Sequence, residues 1–197
     1  MVYNRLTVIL DFSHRLQIQQ DVAVKLSSKK KNILVLTTGG TIEKSYSEDD
    51  GSILNKESIF KERLLRRLRL PHTEIEVLEI MCKDSLEMTQ ADREIIATAL
   101  KEKSQQHDGI VVLHGTDTME KTLKHCFEQL KNLQIPIVFT GAMRPAGFED
   151  SDAQQNFTEA LFAAQTCNAG LYISFHGALF IAPSVTKNKE LKTFVRI

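Results

Sequence analysis

Ile33-Leu-Val-Leu-Thr-Thr-Gly-Gly-Thr41 runs four apolar residues straight into hydroxyls and glycines. A strand buried on both faces of a sheet reads as an unbroken apolar run, whereas a strand with one wet face alternates. The same pattern returns at Ile110-Val-Val-Leu-His-Gly-Thr-Asp-Thr118. Parallel sheets bind ligands beyond the carboxyl ends of their strands. Two strands that end in threonines, with glycines letting backbone amides approach a ligand, point to an acyl-transfer site.

Outward from these runs the chain alternates strand and helix. Residues 32–37 are predicted as strand, 43–55 as a polar loop, 56–69 as a helix stopped by Pro71, and 74–80 as a strand near a sheet edge with one exposed face. Thr89-Gln-Ala-Asp92 starts a capped helix that is expected to bury Ile95, Ile96, Ala99 and Leu100 and to end near His107. Strand is predicted over 109–113, helix over 117–131, strand over 135–140 and helix over 152–166. A closing strand pair over 171–175 and 178–182 turns at His176-Gly177. Strands separated by helices of this length imply crossovers and a mostly parallel sheet, so the fold class is α/β, three-layered and doubly wound. Residues 1–30 do not fit the alternation and end in the polar, basic Ser27-Ser-Lys-Lys-Lys31; they are expected to be an extension to a domain over 31–197.

Composition narrows the function. The chain has 197 residues, 42% of them hydrophobic, and Lys+Arg 25 balances Asp+Glu 25. A zero formal charge gives no field toward nucleic acid or an acidic membrane, so neither is expected as a partner. Cys82, Cys126 and Cys167 are widely spaced, without metal-ligand pattern, and are expected to be reduced core thiols; no metal or cofactor is implied. The apolar patch Leu6–Leu10 is broken at Asp11 and is too short for a secretory core, so a cytoplasmic location is expected.

Each motif has more than one reading. Thr37–Thr41 suits a phosphate-binding turn, a plain tight turn, or a turn that presents Thr41 as a nucleophile. It lacks the lysine of a P-loop and the third glycine of a dinucleotide fingerprint. A threonine nucleophile is held cheaply, because its β-branched side chain has few rotamers. Thr116 or Asp117 is a candidate helix cap with Glu120 completing the box, and the same helix start offers free N–H groups to an oxyanion. Arg144 reads as a substrate clamp or a structural ion pair, Ser85 as a carboxylate ligand or a turn residue, and His114 as a hydrogen-bonded core residue.

Three successive strand ends carrying Thr-Thr-Gly-Gly-Thr41, His114-Gly-Thr-Asp-Thr118 and Thr140-Gly-Ala-Met-Arg-Pro145 strongly resemble the L-asparaginase/glutaminase family of amidohydrolases. The resemblance runs from about Asn32 to about Thr193 and takes in Ala153-Gln-Gln-Asn-Phe157 and Val185-Thr-Lys187. It implies a flavodoxin-like sheet and hydrolysis of L-asparagine to aspartate and ammonia without metal or cofactor. Thr41 takes the nucleophile's place, with Tyr46 on the lid loop assisting. Thr116, Asp117 and Lys187 take the places of the second catalytic group. Gly40, Asp84, Ser85, Leu86, Thr116, Asp117 and Ala142 are the implied substrate contacts, Ser85 for the α-carboxylate and the Ala142 carbonyl for the leaving amide. Relatives assemble as homo-oligomers, and a homodimer is expected.

Two departures bear on specificity. Leu86 stands where many relatives carry a polar side chain toward the substrate ammonium, and relatives carry a second domain that this chain, ending ten residues after Lys187, is expected to lack as a short form or a truncation. Both departures weaken ammonium recognition, so a high KM for asparagine is expected. The alternatives are an amidase for another substrate, an amidotransferase-type subunit, or an inactive amino-acid-binding remnant.

Overall fold

Apolar runs of period one become two hydrophobic layers once they pleat. In the first strand, Ile33 and Val35 face one way and Leu34 and Leu36 the other, and each is wholly buried. The computed structural model describes residues 30–46, 53–55 and 64–197. Its strands, in chain order, are β1 (Lys31–Thr37), β2 (Lys44–Tyr46), β3 (Ile53–Asn55), β4 (Thr73–Glu79), β5 (Gly109–Leu113), β6 (Pro136–Thr140), β7 (Gly170–Phe175), β8 (Ala178–Ile181), β9 (Val185–Asn188) and β10 (Thr193–Arg196). The helices are α1 (Gln90–Lys103), α2 (Met119–Gln129) and α3 (Ala153–Thr166).

Six strands form the main sheet in the order β4-β1-β5-β6-β7-β8, parallel throughout except for β8, which pairs antiparallel with β7. The expected α/β class, the parallel sheet and the edge position of the 74–80 strand all hold. On one face Leu34, Leu36, Val112 and Phe139 pack against Ile96 and Leu100 of α1 and Leu123 and Cys126 of α2. On the other, Val35, Val111, Leu113 and Val138 pack against Phe157, Ala160 and Ala164 of α3. This is the expected three-layer arrangement.

Several boundaries differ from the sequence reading, for physical reasons. The predicted loop over 43–55 contains β2 and β3, paired antiparallel with Lys44 opposite Asn55 and Tyr46 opposite Ile53. Of the helix predicted over 56–69, the described part is a one-turn 3-10 helix, Leu65–Arg67, running into extended backbone at Leu68; residues 56–63 lie outside the described residues, as do 1–29. Helix α1 buries Ile96, Ala97 and Leu100, while Ile95 is exposed and Ala99 half-buried. The helix ends at Lys103 rather than near His107. Cys126 is buried as expected, but Cys167 is half-buried and Cys82 exposed, so not all three thiols belong to the core. No described helix is long and apolar enough to cross a membrane.

The cap of α1 forms as the sequence suggests. The Asp92 N–H donates to Thr89 Oγ1 at 3.3 Å, and the Thr89 N–H donates to Asp92 Oδ2 at 2.8 Å. A cap contributes about 1 kcal/mol, whereas each buried Ile or Leu contributes about 1.5–3 kcal/mol. Packing of Ile96 and Leu100 therefore outweighs the cap. Thr89→Ala is expected to leave the fold intact and lower the melting temperature by roughly 2–4 °C, measured by thermal unfolding.

Candidate active site

The carboxyl ends of β1 and β5 meet through glycines. Gly39 and Gly40 lie at φ +96° and +91°, in the left-handed region that favours glycine. A Cβ on Gly40 would stand 2.5 Å from the Gly115 N, so the two turns touch backbone to backbone. A Cβ on Gly115 would stand 2.6 Å from Ser85 Oγ, and one on Gly141 would stand 2.4 Å from the His114 carbonyl and 3.3 Å from Thr116 Cγ2. Four loops thus converge at one edge of the sheet. Thr41 follows Gly40 and Thr116 follows Gly115, so this contact draws the two hydroxyl-bearing turns together.

The second hydroxyl has a cation. Lys187 Nζ donates to Thr116 Oγ1 at 2.7 Å and to Asp117 Oδ1 at 2.8 Å. The lysine side chain is mostly covered while Asp117 is about half exposed, which leaves the cluster open toward solvent on the aspartate side. Thr116 Oγ1 also lies 3.7 Å from Met143 Sδ on the third strand-end turn. Lys187 comes from β9, which pairs antiparallel with β10 and is tied to α2 by the Lys187 N–H on the Glu120 carboxylate. Val185 and Phe194 anchor that hairpin in the core, with the Phe194 ring 5.1 Å from Phe175 in an edge-on contact.

This hairpin also explains why the predicted cap of α2, Thr116 or Asp117 with Glu120, does not form, since Lys187 engages both candidate caps. The helix begins at Met119, and its N-cap, Thr118, makes no side-chain cap bond. Its hydroxyl donates instead to the Ser85 carbonyl at 2.7 Å, and the Glu120 carboxylate accepts the Lys187 N–H at 2.5 Å. Both groups tie neighbouring elements to the site, leaving none for a capping box.

Ser85 is buried in a one-turn helix, Ser85–Glu87, capped by Asp84, whose Oδ1 accepts the Leu86 N–H at 3.0 Å. Leu86 is 71% exposed, so it stands on the rim rather than in a packed wall. Ala142 is buried. Tyr46 ends β2, pairing with Ile53. Arg144 pairs with Asp150, the structural alternative to a substrate clamp. His114 is wholly buried: its Nδ1 lies 2.8 Å from the Gly115 carbonyl and its Nε2 2.9 Å from Thr122 Oγ1. A carbonyl can only accept, so Nδ1 carries the proton and Nε2 accepts from Thr122. Burial pushes the imidazole down to about 4.

Two supporting acids escaped the sequence reading. Asp152 accepts the Met143 N–H and the Arg144 N–H, each at 3.0 Å, and lies 2.8 Å from His176 Nε2. Asn156 joins it by donating to Asp152 Oδ2 at 2.8 Å and to the Gly141 carbonyl at 3.0 Å, so the 141–144 turn is fastened from both sides. Asp152 was legible only as the start of a helix; nothing in its spacing says that it faces backward. Glu43, the second, accepts the Gly39 N–H at 2.7 Å from within the same turn and is 6% exposed.

The fold and site define an α/β protein with threonine, aspartate and lysine side chains gathered at the carboxyl edge of a parallel sheet. The chain belongs to the asparaginase family: residues 32–195 match the family described as Asparaginase, N-terminal. The L-asparaginase of Thermococcus kodakarensis is 33% identical over 160 residues, covering 81% of this chain and 48% of that protein. The solved structure of the thermostable L-asparaginase from the same organism superposes with a TM-score of 0.79 at 32% identity, over 84% of this chain and 51% of that one. L-asparaginase 1 of Escherichia coli is 36% identical over 142 residues, 69% of this chain and 41% of its own. A glutamyl-tRNA(Gln) amidotransferase subunit of Thermoplasma acidophilum is 31% identical over 160 residues, 79% of this chain and 38% of its own. The chain thus spans about half the length of these relatives or less.

Proposed function

We propose that the chain hydrolyses L-asparagine to L-aspartate and ammonia through a threonine acyl-enzyme. The observation that carries this reading is Lys187 Nζ bonded to both Thr116 Oγ1 and Asp117 Oδ1, beside the contact of Gly40 with Gly115. In the first half-reaction Thr41 Oγ attacks the side-chain amide carbon, its proton passes to the amide nitrogen, the C–N bond breaks and ammonia leaves. In the second, water adds to the ester, the C–O bond to Thr41 breaks, and aspartate is released. Backbone N–H groups of Thr41 and Thr116 stabilise the oxyanion in both. Tyr46 assists the nucleophile, and Gly40, Asp84, Ser85, Leu86 and Ala142 line the substrate. The working unit is a cytoplasmic homodimer.

The α-ammonium of a bound amino acid neutralises Asp117 and loosens its hold on the lysine proton, so substrate assists its own activation. Ammonia release by the purified chain tests the reading. L-asparagine is expected to outpace L-glutamine, and succinamate, which lacks the α-amino group, is expected to lose more in kcat than in affinity. Equal kcat for succinamate and asparagine would refute the assisted step. Aspartate binding without ammonia release from any amide would make the chain an amino-acid-binding module instead.

The similarity to an amidotransferase component favours a second reading, in which the site supplies ammonia to a partner. That reading expects ammonia release to stay low until a charged tRNA and a partner protein are added.

A further inference from the structure

Two acids among the described residues are buried, Asp92 and Glu43. Asp92 is explained by its ion pair with Lys83 Nζ at 2.8 Å and by its helix cap. Glu43 is a different case. It closes the one-turn helix Thr41–Glu43, its own N–H donating to the Gly40 carbonyl at 3.1 Å, and its side chain folds back beneath the turn. There Oε2 accepts the Gly39 N–H at 2.7 Å, and the Thr37 hydroxyl at the end of β1 is a second donor to it. The acid facing it from the end of β4 is Glu79, a like charge. A buried carboxyl group near another acid opposes stability, so its presence inside this turn calls for a different explanation.

The geometry of the turn supplies one. Thr38 is held on both sides, by its N–H and hydroxyl on the Leu113 carbonyl at 3.1 and 2.9 Å and by the Lys83 N–H on its carbonyl at 3.1 Å. The next two residues are glycines at positive φ, with wide backbone freedom. Thr41 hangs from them, and its side chain has few rotamers, so the backbone of the glycine pair decides where its oxygen points.

We propose that Glu43 is the positioning residue for the Thr41 turn: by accepting the Gly39 N–H and the Thr37 hydroxyl together, its carboxylate clamps the glycine pair and so aims Thr41 Oγ. The role rests on Thr41 being the nucleophile proposed above. Hydrogen bonds to an ionised acceptor are shorter and stronger than neutral ones, so the clamp is tight when Glu43 is charged and slack when it is neutral. Burial, reinforced by Glu79, pushes the carboxyl up to about 7, which makes the clamp change state near neutrality. The groups that face Glu43 in this balance are Thr37 from β1, Gly39 from the turn and Glu79 from β4.

The full-length chain, with Glu43→Gln and Glu43→Ala, tests this by kinetics on L-asparagine between pH 5 and 9 and by the Gly39 amide resonance in NMR. Wild-type kcat is expected to rise with pH about a midpoint near 7, and the Gly39 amide shift to titrate with it. Glu43→Gln keeps a carbonyl acceptor but no charge; it should abolish both titrations and keep KM within about threefold. Glu43→Ala should lower kcat by about 10–100-fold, the scale of a small misplacement of a reacting group, with KM again little changed. A Gly39 amide shift that is flat with pH in the wild type overturns the clamp, as does a wild-type kcat limb that survives in Glu43→Gln. If Glu43→Ala does not fold, Glu43→Gln alone decides. If the wild type releases no ammonia, the hydrolase reading falls by itself, and the Gly39 titration still settles whether Glu43 holds the turn.

Discussion

Thr41→Ala and Lys187→Met are each expected to lower kcat for L-asparagine by about four orders of magnitude, with the double variant scarcely slower than the worse single one. Thr41→Ala removes the atom proposed to form the ester, so only binding and the proposed oxyanion amides remain. Lys187→Met keeps the length and apolar stem of the side chain but deletes the amine that donates to Thr116 and Asp117 at 2.7 and 2.8 Å. Groups that serve one chemical step fail as a unit, which is why the losses should not multiply if both belong to the proposed acylation. Stability separates this from unfolding. Asp117 is about half exposed and regains water when its partner goes, so Lys187→Met should cost no more than about 1 kcal/mol in urea unfolding. Steady-state ammonia release from the two singles and the double forms the cycle. Strictly multiplicative losses would mean that the amine and the Thr41 hydroxyl serve separate steps. A Thr41→Ala variant that keeps a tenth of wild-type kcat would move the nucleophile elsewhere, with Thr116 the first alternative to replace.

What the sequence told about this site depended on how far each residue's role was local. Strands β1, β5 and β6 were legible because burial on both faces leaves an unbroken apolar run, and their ends were legible because glycine and threonine replace that run abruptly. The closing hairpin was not. Val185-Thr-Lys-Asn188 is short and polar, with one buried residue in four, so neither period nor hydrophobicity marks it as a strand. Lys187 became a candidate site residue only through a family resemblance. The start of α2 was misplaced for a related reason: Asp117 and Glu120 look like a cap by spacing, yet both carboxylates are taken by Lys187, 70 and 67 residues away. Ile95 was assigned to the core on helical period alone, and only the position of the sheet shows that α1 turns Ala97 inward beside the expected Ile96 and leaves Ile95 exposed. Asp152 and Glu43 carried no signal, since each sits at an ordinary polar position and is recruited by a backbone turn.

Glu43 and His114 are expected to pull the pH dependence of stability in opposite directions. The Glu43 carboxyl has an ordinary value of 4.5 and stands at about 7 in the folded chain. The folded state therefore holds this proton more firmly than the unfolded one, and stability falls as pH rises from 4.5 to 7, by about 3 kcal/mol in all. His114 has an ordinary value of 6.5 and stands at about 4 when folded, chiefly through burial. Here the unfolded chain binds the proton more readily, so stability rises with pH across that window, again by about 3 kcal/mol. Asp92 and Asp152 are held below the usual carboxylate range, and the stability they add is lost only under stronger acid. Between pH 4.5 and 7 the wild-type unfolding free energy should therefore change by less than about 1 kcal/mol, because two slopes of opposite sign overlap. Glu43→Gln removes the falling slope and leaves the rising one, so that variant should gain about 2–3 kcal/mol over the same interval. Urea unfolding at half-unit pH steps reads both curves. A wild type that tracks its Glu43→Gln variant in parallel would show that the buried carboxyl does not titrate in this window. A flat Glu43→Gln profile would show instead that His114 takes its proton without opposing the fold, and that water reaches the imidazole beneath Gly115.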